Sequence, residues 1–244
     1  MLKSWPYDSD DDARIIQGVD GREILQVRTP LGVEQYELDH RPDGLRPHGA
    51  ESEFAFQLDR FEHSHAGKVA FELNSTDCAE LIAESTIYYY RYLRLFQLKD
   101  WPRAIRDTAR NLQVFDFVHQ HARREEDRNY LEKWRPYLVR MHGAANALRQ
   151  IEHGDHEPAL ATIARTIQAI EALEDLEDDT FDFERERSLQ SLRDLARQIQ
   201  SSRPVSKAER LEQQLQRAIE AQEFERAAEL RDRLRLLKAK TVTP

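Results

Sequence analysis

The stretch EAQEFERAAELRDRLRLLK, residues 220–238, contains the local pattern that decides the fold. An acid, Glu223, is followed by a ring, Phe224, and three residues after the ring comes Ala227. An acid is stabilised near a helix N-terminus by unpaired N–H groups and by the helix dipole, and an alanine lets two helices approach closely. The pattern therefore predicts the turn of a helical hairpin. It occurs twice more, in KDWPRAIR at residues 99–106 and in GDHEPALA at residues 154–161.

The two earlier copies resemble the hairpins of tetratricopeptide (TPR) arrays. Pro102 and Pro158 fall in their first helical turns, where proline is tolerated because its missing N–H is unpaired there anyway. The copies lie further apart than the ~34-residue period of such an array. We therefore expect TPR-like helical hairpins rather than a regular solenoid.

Composition limits the classes of protein that the chain can be. Of 244 residues, 40% are hydrophobic and 33% are charged, which suits helices around thin cores. The net charge of −9 argues against a duplex-binding surface over the whole molecule. Cys78 is the one cysteine and cannot form an internal disulfide. No signal peptide and no apolar run of the ~18 residues that a membrane span needs are evident, so we expect a cytoplasmic protein.

The N-terminal part predicts a small antiparallel β-meander. Apolar, β-branched runs at residues 14–19 and 22–28 flank an Asp20-Gly21 turn, which is a strong hairpin signal. A third run at residues 33–39 follows a second turn. FAFQLDRF at 54–61 favours a short helix or strand, and KVAFEL at 68–73 favours one more strand. Such a sheet is too small to be stable alone and should pack on a helix or on a second chain.

From Asn74 onward the apolar spacing changes to the three and four residues of amphipathic helices. The fold class we predict is mainly α (α+β). Helices are expected at 76–97, 101–122, 127–152, 156–175 and 182–200. The domains are a disordered tail (1–12), a β-rich domain (13–74), a TPR-like helical body (75–200), a linker (201–205) and a C-terminal hairpin (206–240).

The C-terminal hairpin has two apolar stripes that should face each other. The first comprises Leu211, Leu215, Ala218 and Ile219, and the second Phe224, Ala227, Ala228, Leu230, Leu234 and Leu237. Ser206 with Glu209 forms a capping box at its start. Helices of ~15 residues are marginal alone in water, so each should depend on packing against the other and against a partner.

This hairpin resembles a UVR domain, the helical hairpin known from the UvrB and UvrC excision-repair proteins. The domain also occurs in a McsA-type regulator of an arginine kinase and in some Clp ATPases. Glu223 stands where family members often have Asp, which retains the carboxylate. The resemblance implies a docking element for another helical hairpin. The residues that carry it are Leu211, Leu215, Ala218, Ile219, Phe224, Ala227, Ala228, Leu230, Arg231, Asp232, Leu234 and Leu237.

The chain from residue 14 to about residue 174 is also similar to uncharacterised bacterial UvrB/UvrC-motif-containing proteins. The similarity rests on QVRTPLGVEQYEL with RPDG, on YYYRYL, and on RDTARN with RPYL. The similarity implies a shared architecture, and it does not point to any particular chemical reaction.

Two sets of residues are candidate sites. Partner binding is assigned to Leu211, Leu215, Ile219, Phe224, Ala227, Ala228, Leu230, Arg231 and Leu234. An anion or acidic peptide is a candidate ligand for Arg91, Arg94, Arg103, Arg106 and Arg110. For these arginines we favour the alternative of a solvated face with pairs such as Asp107–Asn111.

Other patterns favour structure over chemistry. The aromatic stripe at residues 88–96 is interpreted as core rather than as a peptide-binding platform, and the acidic run at 171–186 as solvated surface rather than a partner site. The close histidine pairs lack the cysteine or carboxylate help of a zinc site, so we expect no metal. No phosphate loop, nucleophile elbow, HExxH or cysteine pair occurs, so we expect neither an enzyme nor a cofactor.

Together these features predict a non-catalytic adaptor or scaffold that docks a protein through its UVR hairpin, either as a homodimer or with a UVR-bearing partner. The resemblance links this function to DNA excision repair or to protein quality control. The alternative is a nucleic-acid-associated protein that uses the basic hairpin and the arginine-rich helix.

Overall fold

The computed structural model describes residues 4–66, 70–203 and 207–241. Its N-terminal strands, β1 (Ala13–Gln17), β2 (Glu23–Thr29) and β3 (Gly32–Glu37), form an antiparallel sheet in the order β1-β2-β3. Gly21, with φ of 80°, supplies the left-handed residue of the first turn. In the register of the sheet, Leu25 faces Ile15 on one side and Tyr36 on the other. The predicted β-meander is therefore confirmed.

The rest of the described chain is mainly helical, as predicted. The helices are α1 (Glu53–Ala66), α2 (Ser75–Gln97), α3 (Trp101–His121), α4 (Glu125–Glu132), α5 (Arg135–Glu152), α6 (His156–Glu171), α7 (Asp179–Ser202), α8 (Lys207–Glu220) and α9 (Phe224–Thr241).

FAFQLDRF lies in α1, which confirms the helical alternative for this segment. Three other local predictions need correction. KVAFEL is not a strand over its described part, where only Leu73 makes a bridge, to Ala122. The single helix expected at 127–152 is divided into α4 and α5, because Pro136 must sit in a first turn, where it opens α5. Helix α7 continues to Ser202, so residues 201–202 of the expected linker are helical.

The N-terminal tail makes defined contacts instead of being disordered over its described part. The carboxylate of Asp12 is buried and accepts hydrogen bonds from Gln97 (2.9 Å) and Arg94 (3.1 Å). The carbonyl oxygen of Trp5 accepts a hydrogen bond from Arg28 at 2.8 Å. These contacts attach the segment to the sheet and to α2.

The chain divides into two compact units, residues 1–199 and 200–244. The sheet and the helical body, which we expected as separate domains, belong to the first unit. They share a core in which Leu25 and Val27 of β2 pack against Leu95, Trp101 and Ala104 of the helices. The second unit contains α8 and α9. Among the described residues, no helix is both long enough and apolar enough to cross a membrane.

The three predicted hairpin turns have the same hydrogen bonds. In the first, the N–H of Lys99 donates to the carbonyl of Phe96 (3.1 Å), and that of Asp100 donates to Leu95 (2.8 Å). This pair of bonds is the Schellman helix ending, which needs a left-handed residue. Equivalent pairs of bonds close the turns before α6 and α9. The left-handed residues are Lys99 (φ 58°), Gly154 (φ 81°) and Gln222 (φ 59°).

The alanine of each pattern is buried, as its role in close helix packing requires. Ala104 and Ala159 are fully buried, and Ala227 is nearly so. The rings differ, since Trp101 is buried against Phe96 whereas Phe224 is largely exposed. The shared pattern therefore specifies the backbone of the turn and the close approach of the two helices, and it leaves the environment of the ring free to vary.

Candidate functional site

The arginines predicted to form an anion groove instead join the helices to the N-terminal segment. Arg91 is fully buried, and its Nε and Nη2 donate to the two carboxylate oxygens of Asp107 at 2.6 and 2.8 Å. Its Nη1 donates to the carbonyl oxygens of Glu37 (2.6 Å) and His40 (2.9 Å). A single guanidinium therefore connects α2, α3 and the end of β3.

The other arginines of this set are paired in a similar way. Arg106 donates to the carbonyl oxygen of Leu38 at 2.6 Å. Four of the five arginines thus hold residues of the sheet region, and the expected groove is filled by the chain's own N-terminal segment. The solvated-face alternative is also wrong, because Asp107 and Asn111 are buried. The carboxylate pairs are Arg94–Asp12, Arg103–Glu23, Arg103–Asp100, Arg106–Asp39, Arg106–Asp107 and Arg110–Glu84.

Glu84 is a buried carboxylate that sequence reasoning missed. It accepts hydrogen bonds from the backbone N–H groups of Glu53 (2.6 Å) and Phe54 (3.1 Å), and so it caps the start of α1. It also pairs with Arg110 and, at 2.8 Å, with Arg41. A signal was present, since Glu84 lies four residues before Tyr88, on the stripe that faces the core. A charge on such a stripe indicates a buried ion pair.

Within the described part of the chain, one group of side chains of metal-ligand types comes together, and it is not one of the histidine pairs. Ligand atoms of His48, Glu53 and Glu80 lie within 4.8 Å of one another. His48 also stacks on Phe56 at 4.0 Å, and Glu53 accepts a hydrogen bond from Gln57 at 2.7 Å. The stacking and the hydrogen bond explain the positions of His48 and Glu53 without a metal ion, and we assign no metal to the group.

The core of the C-terminal hairpin is small. Ala218 on α8 and Ala227 and Leu230 on α9 are buried against one another, and Leu211 and Leu215 pack on them from the side. Among the hairpin side chains that the structure describes, these five small and medium-sized residues form the apolar cluster between the two helices. Ala227, Leu230, Leu211 and Leu215 of the predicted partner-binding set thus serve the hairpin's own packing, with Leu234 half-buried beside them.

The remaining members of the predicted set face outward. Phe224 is 71% exposed and Ile219 is 48% exposed. We expected both on the internal stripes of the hairpin, and this expectation is wrong. Ala228 and Arg231 are also exposed. Phe224, Ala228 and Arg231 follow one another at spacings of four and three residues, which places them on one face of α9. Ile219 lies in the last turn of α8, on the other side of the same tight turn.

Two earlier expectations lie outside what the structure describes. Ser206 is among the undescribed residues, so the capping box is not tested. The side chain of Leu237 is likewise not described.

These features define a two-helix hairpin, joined by a tight turn, on a mainly α chain. Residues 206–240 match the model of the family described as the UvrB/uvrC motif (UVR), and the hairpin is a UVR motif. No curated protein and no solved structure matches the chain at a significant level. The family match ends with the hairpin, so the wider similarity to bacterial UVR-motif proteins and the TPR-like description of the body stay predictions.

Proposed function

We propose that this chain is a non-catalytic adaptor that docks a protein partner through its UVR hairpin. The observation that carries the proposal is the exposure of Phe224 and Ile219 on either side of the α8–α9 turn, in a hairpin whose own core is made of alanines and leucines. Large aromatic side chains are the residues that most often anchor protein interfaces. Neither side chain belongs to the buried cluster of the hairpin's described residues.

The stability of the module favours the same function. Two helices of 14 and 18 residues are marginal alone, and the contacts between them involve few large side chains. Burial of a side chain the size of Phe224 stabilises by roughly 1.5–3 kcal/mol. A partner that covers Phe224 and Ile219 would therefore contribute to the stability of the hairpin as well as to binding.

The partner we propose is another helical hairpin, either of a second copy of this chain or of a UVR-bearing protein. A hairpin can offer an apolar groove between its helices, into which a protruding ring fits. The UVR resemblance connects such a partner to excision repair or to protein quality control.

The test compares two substitutions of exposed phenylalanines in the full chain. Phe224→Ala removes the proposed anchor, and Phe183→Ala is the control, because Phe183 is 61% exposed but lies on α7. Sedimentation velocity measures self-association, and affinity capture with quantitative mass spectrometry measures binding of other proteins. We expect Phe224→Ala to weaken association at least tenfold, or about 1.4 kcal/mol. At a concentration at which both proteins are dissociated, its melting temperature should equal that of the wild type. Equal association of the two variants would refute the docking role of Phe224.

Nucleic-acid binding is the second candidate, since the side chains of Arg226 and Arg231 are 67% and 69% exposed. Their charges are partly balanced, because Arg226 pairs with Glu223 at 3.0 Å and Arg231 with Asp232 at 3.1 Å. Binding through phosphate contacts falls steeply with salt. Filter binding at low and high ionic strength therefore separates this candidate from docking through an apolar ring, which salt weakens little.

A further inference from the structure

A cavity of about 530 Å³ lies in the helical body, and six of its fourteen lining residues are aromatic. Helices α2, α3 and α5 form much of the lining, and residues of α4 and α7 complete it. This size is in the range of small-molecule sites. The lining aromatic side chains are Tyr89, Tyr92, Phe115, Tyr130, Trp134 and Tyr137.

The tyrosine rings of the lining are steeply inclined to one another. Tyr89 is perpendicular to Tyr92 with ring centres 5.5 Å apart, and it lies 6.1 Å from Tyr137 at 60°. Tyr130 and Trp134 are the most exposed of the lining rings, which places them on the solvent side. Part of the stripe that we interpreted as core, namely Tyr89 and Tyr92, therefore borders an open space.

Two polar atoms in the lining have no hydrogen-bond partner among the described residues. Glu184 is only 4% exposed, and its Oε2 accepts no hydrogen bond, whereas its Oε1 accepts one from Arg187 at 3.3 Å. The hydroxyl oxygen of Ser85 is likewise buried and unpaired. A buried carboxylate oxygen without a donor is unfavourable, because it has lost water and gained nothing in exchange. The acidic run that contains Glu184 was expected to be solvated, and at this residue that expectation is wrong.

The ring faces and the unpaired oxygen of Glu184 are the features of the lining that favour a cation. The face of an aromatic ring carries negative electrostatic potential and attracts ammonium groups, and a carboxylate strengthens that attraction. Arg187 is the positively charged residue of the lining, but it is 59% exposed and its contact with Glu184 reaches only Oε1. The guanidinium of Arg140 lies over Tyr137 at 4.9 Å and donates to the hydroxyl of Ser188 at 3.2 Å, and Arg140 is not part of the lining.

We propose that this cavity binds a small organic ammonium ion. The apolar part of the ligand contacts the tyrosine and tryptophan rings, and an ammonium N–H donates to Oε2 of Glu184. The hydroxyl of Ser85 is a further hydrogen-bonding group for the ligand. The site is independent of the UVR hairpin, so its test does not depend on the adaptor function.

Benzylamine is the probe, and its binding to the full chain is followed by ligand-observed NMR titration. Benzyl alcohol has nearly the same shape without the charge, and we expect it to bind at least tenfold more weakly. Glu184→Gln keeps the shape of the side chain and should weaken benzylamine binding at least tenfold. Glu186→Gln, an exposed acid on the same helix, should leave binding unchanged.

A second variant keeps the test decisive if Glu184→Gln disturbs folding. Thr86 lines the cavity but is exposed, so Thr86→Trp should block the cavity without touching Glu184. We expect this variant to lose benzylamine binding and to keep the wild-type melting temperature.

Three results would overturn the proposal: equal binding of benzyl alcohol, unchanged binding by both variants, or no binding of benzylamine to the wild-type chain. Nα-acetyl-lysine methylamide is titrated in parallel, because a partner's lysine presents the same ammonium group. Tighter binding of this probe than of benzylamine would assign the cavity to a protein side chain and would contradict a free amine.

Discussion

The guanidinium of Arg91 and the carboxylate of Asp107 form a two-pronged ion pair from which water is excluded. Their hydrogen bonds are 2.6 and 2.8 Å long, and both side chains are essentially inaccessible. The ring of Tyr88 contacts both Arg91 and Arg110, whose guanidinium carbons lie 4.8 and 4.1 Å from its centre. Because Arg91 also holds two carbonyl groups at the end of β3, this pair couples the sheet to the helical body.

Removing the charge of Asp107 should therefore be strongly destabilising. Asp107→Asn leaves the Arg91 cation buried without a counter-charge, which typically costs about 3–5 kcal/mol. Glu23→Gln breaks the exposed Arg103–Glu23 pair of 2.6 Å and is the control, with an expected cost below about 1 kcal/mol. Urea unfolding of both variants measures the difference. Similar losses for the two variants would show that burial of the Arg91–Asp107 pair does not determine its contribution.

The sequence predicted most of the backbone and little of this ionic network. The hairpin turns were predictable because acid, ring and alanine occur together within a few residues. The left-handed conformation of Lys99 and Gln222 was not, since neither is a glycine. Glu84 and Arg110 are 26 residues apart in sequence, and only the packing of α2 on α3 brings them together.

The same limit applies to the candidate sites. The spacing of Ala227 and Leu230 predicted an apolar stripe. Spacing alone does not determine whether the facing helix or another protein packs against that stripe. Phe224 was assigned to the apolar stripe of the hairpin from its spacing to Ala227 and Ala228. The structure exposes the side chain of Phe224. The cavity around Tyr89 and Glu184 is lined by residues of five helices, so the sequence spacing within any one helix does not reveal it.

Gly143 should resist substitution even by alanine. An added Cβ would lie 2.2 Å from Oγ1 and 2.4 Å from Cγ2 of Thr166, at the crossing of α5 and α6. Alanine normally gains about 1 kcal/mol over glycine in a helix. Overpacking costs about 1–3 kcal/mol, so we expect Gly143→Ala to be destabilising on balance. Thermal unfolding measures it, and Thr166→Ala in the same chain should recover part of the loss. A stabilised Gly143→Ala variant would contradict the close crossing.

Cys78 should be unreactive while the protein is folded. The thiol is fully buried, and burial, with smaller contributions from Asp127 and Asp77, raises its pKa to about 12. Only the thiolate reacts with disulfide reagents. We expect reaction with Ellman's reagent at pH 8 to be at least ~100-fold slower than in the urea-unfolded chain. Comparable rates in the two states would mean that α2 opens readily around Cys78.

His142 should make the folded state sensitive to acid. Burial lowers its pKa below the ordinary value of 6.5, against a smaller opposing effect from the backbone of Ile105. The unfolded chain then binds more protons than the folded one below about pH 6.5, so this contribution is complete above that pH and is lost as the pH falls. We expect the unfolding free energy to fall less between pH 7 and pH 5 in His142→Gln than in wild type. His153→Gln, at an exposed site, should follow the wild type, and identical slopes for all three proteins would exclude His142 as the cause.

Lys99→Gly and Gly154→Ala, at two left-handed turn positions, should change the free energy of unfolding in opposite directions. Lys99 is exposed and adopts φ of 58°, a conformation that costs a residue with a Cβ about 1–2 kcal/mol. Glycine removes that cost but loses ~0.4–1 kcal/mol through greater freedom of the unfolded chain, so Lys99→Gly should stabilise by about 0.5–1 kcal/mol. Gly154→Ala should destabilise by about the same amount, because no atom lies within 4 Å of the added Cβ and only the backbone term remains. Urea unfolding of the two variants measures both signs. A loss of stability in Lys99→Gly would mean that the lysine side chain contributes more to this turn than its left-handed backbone costs.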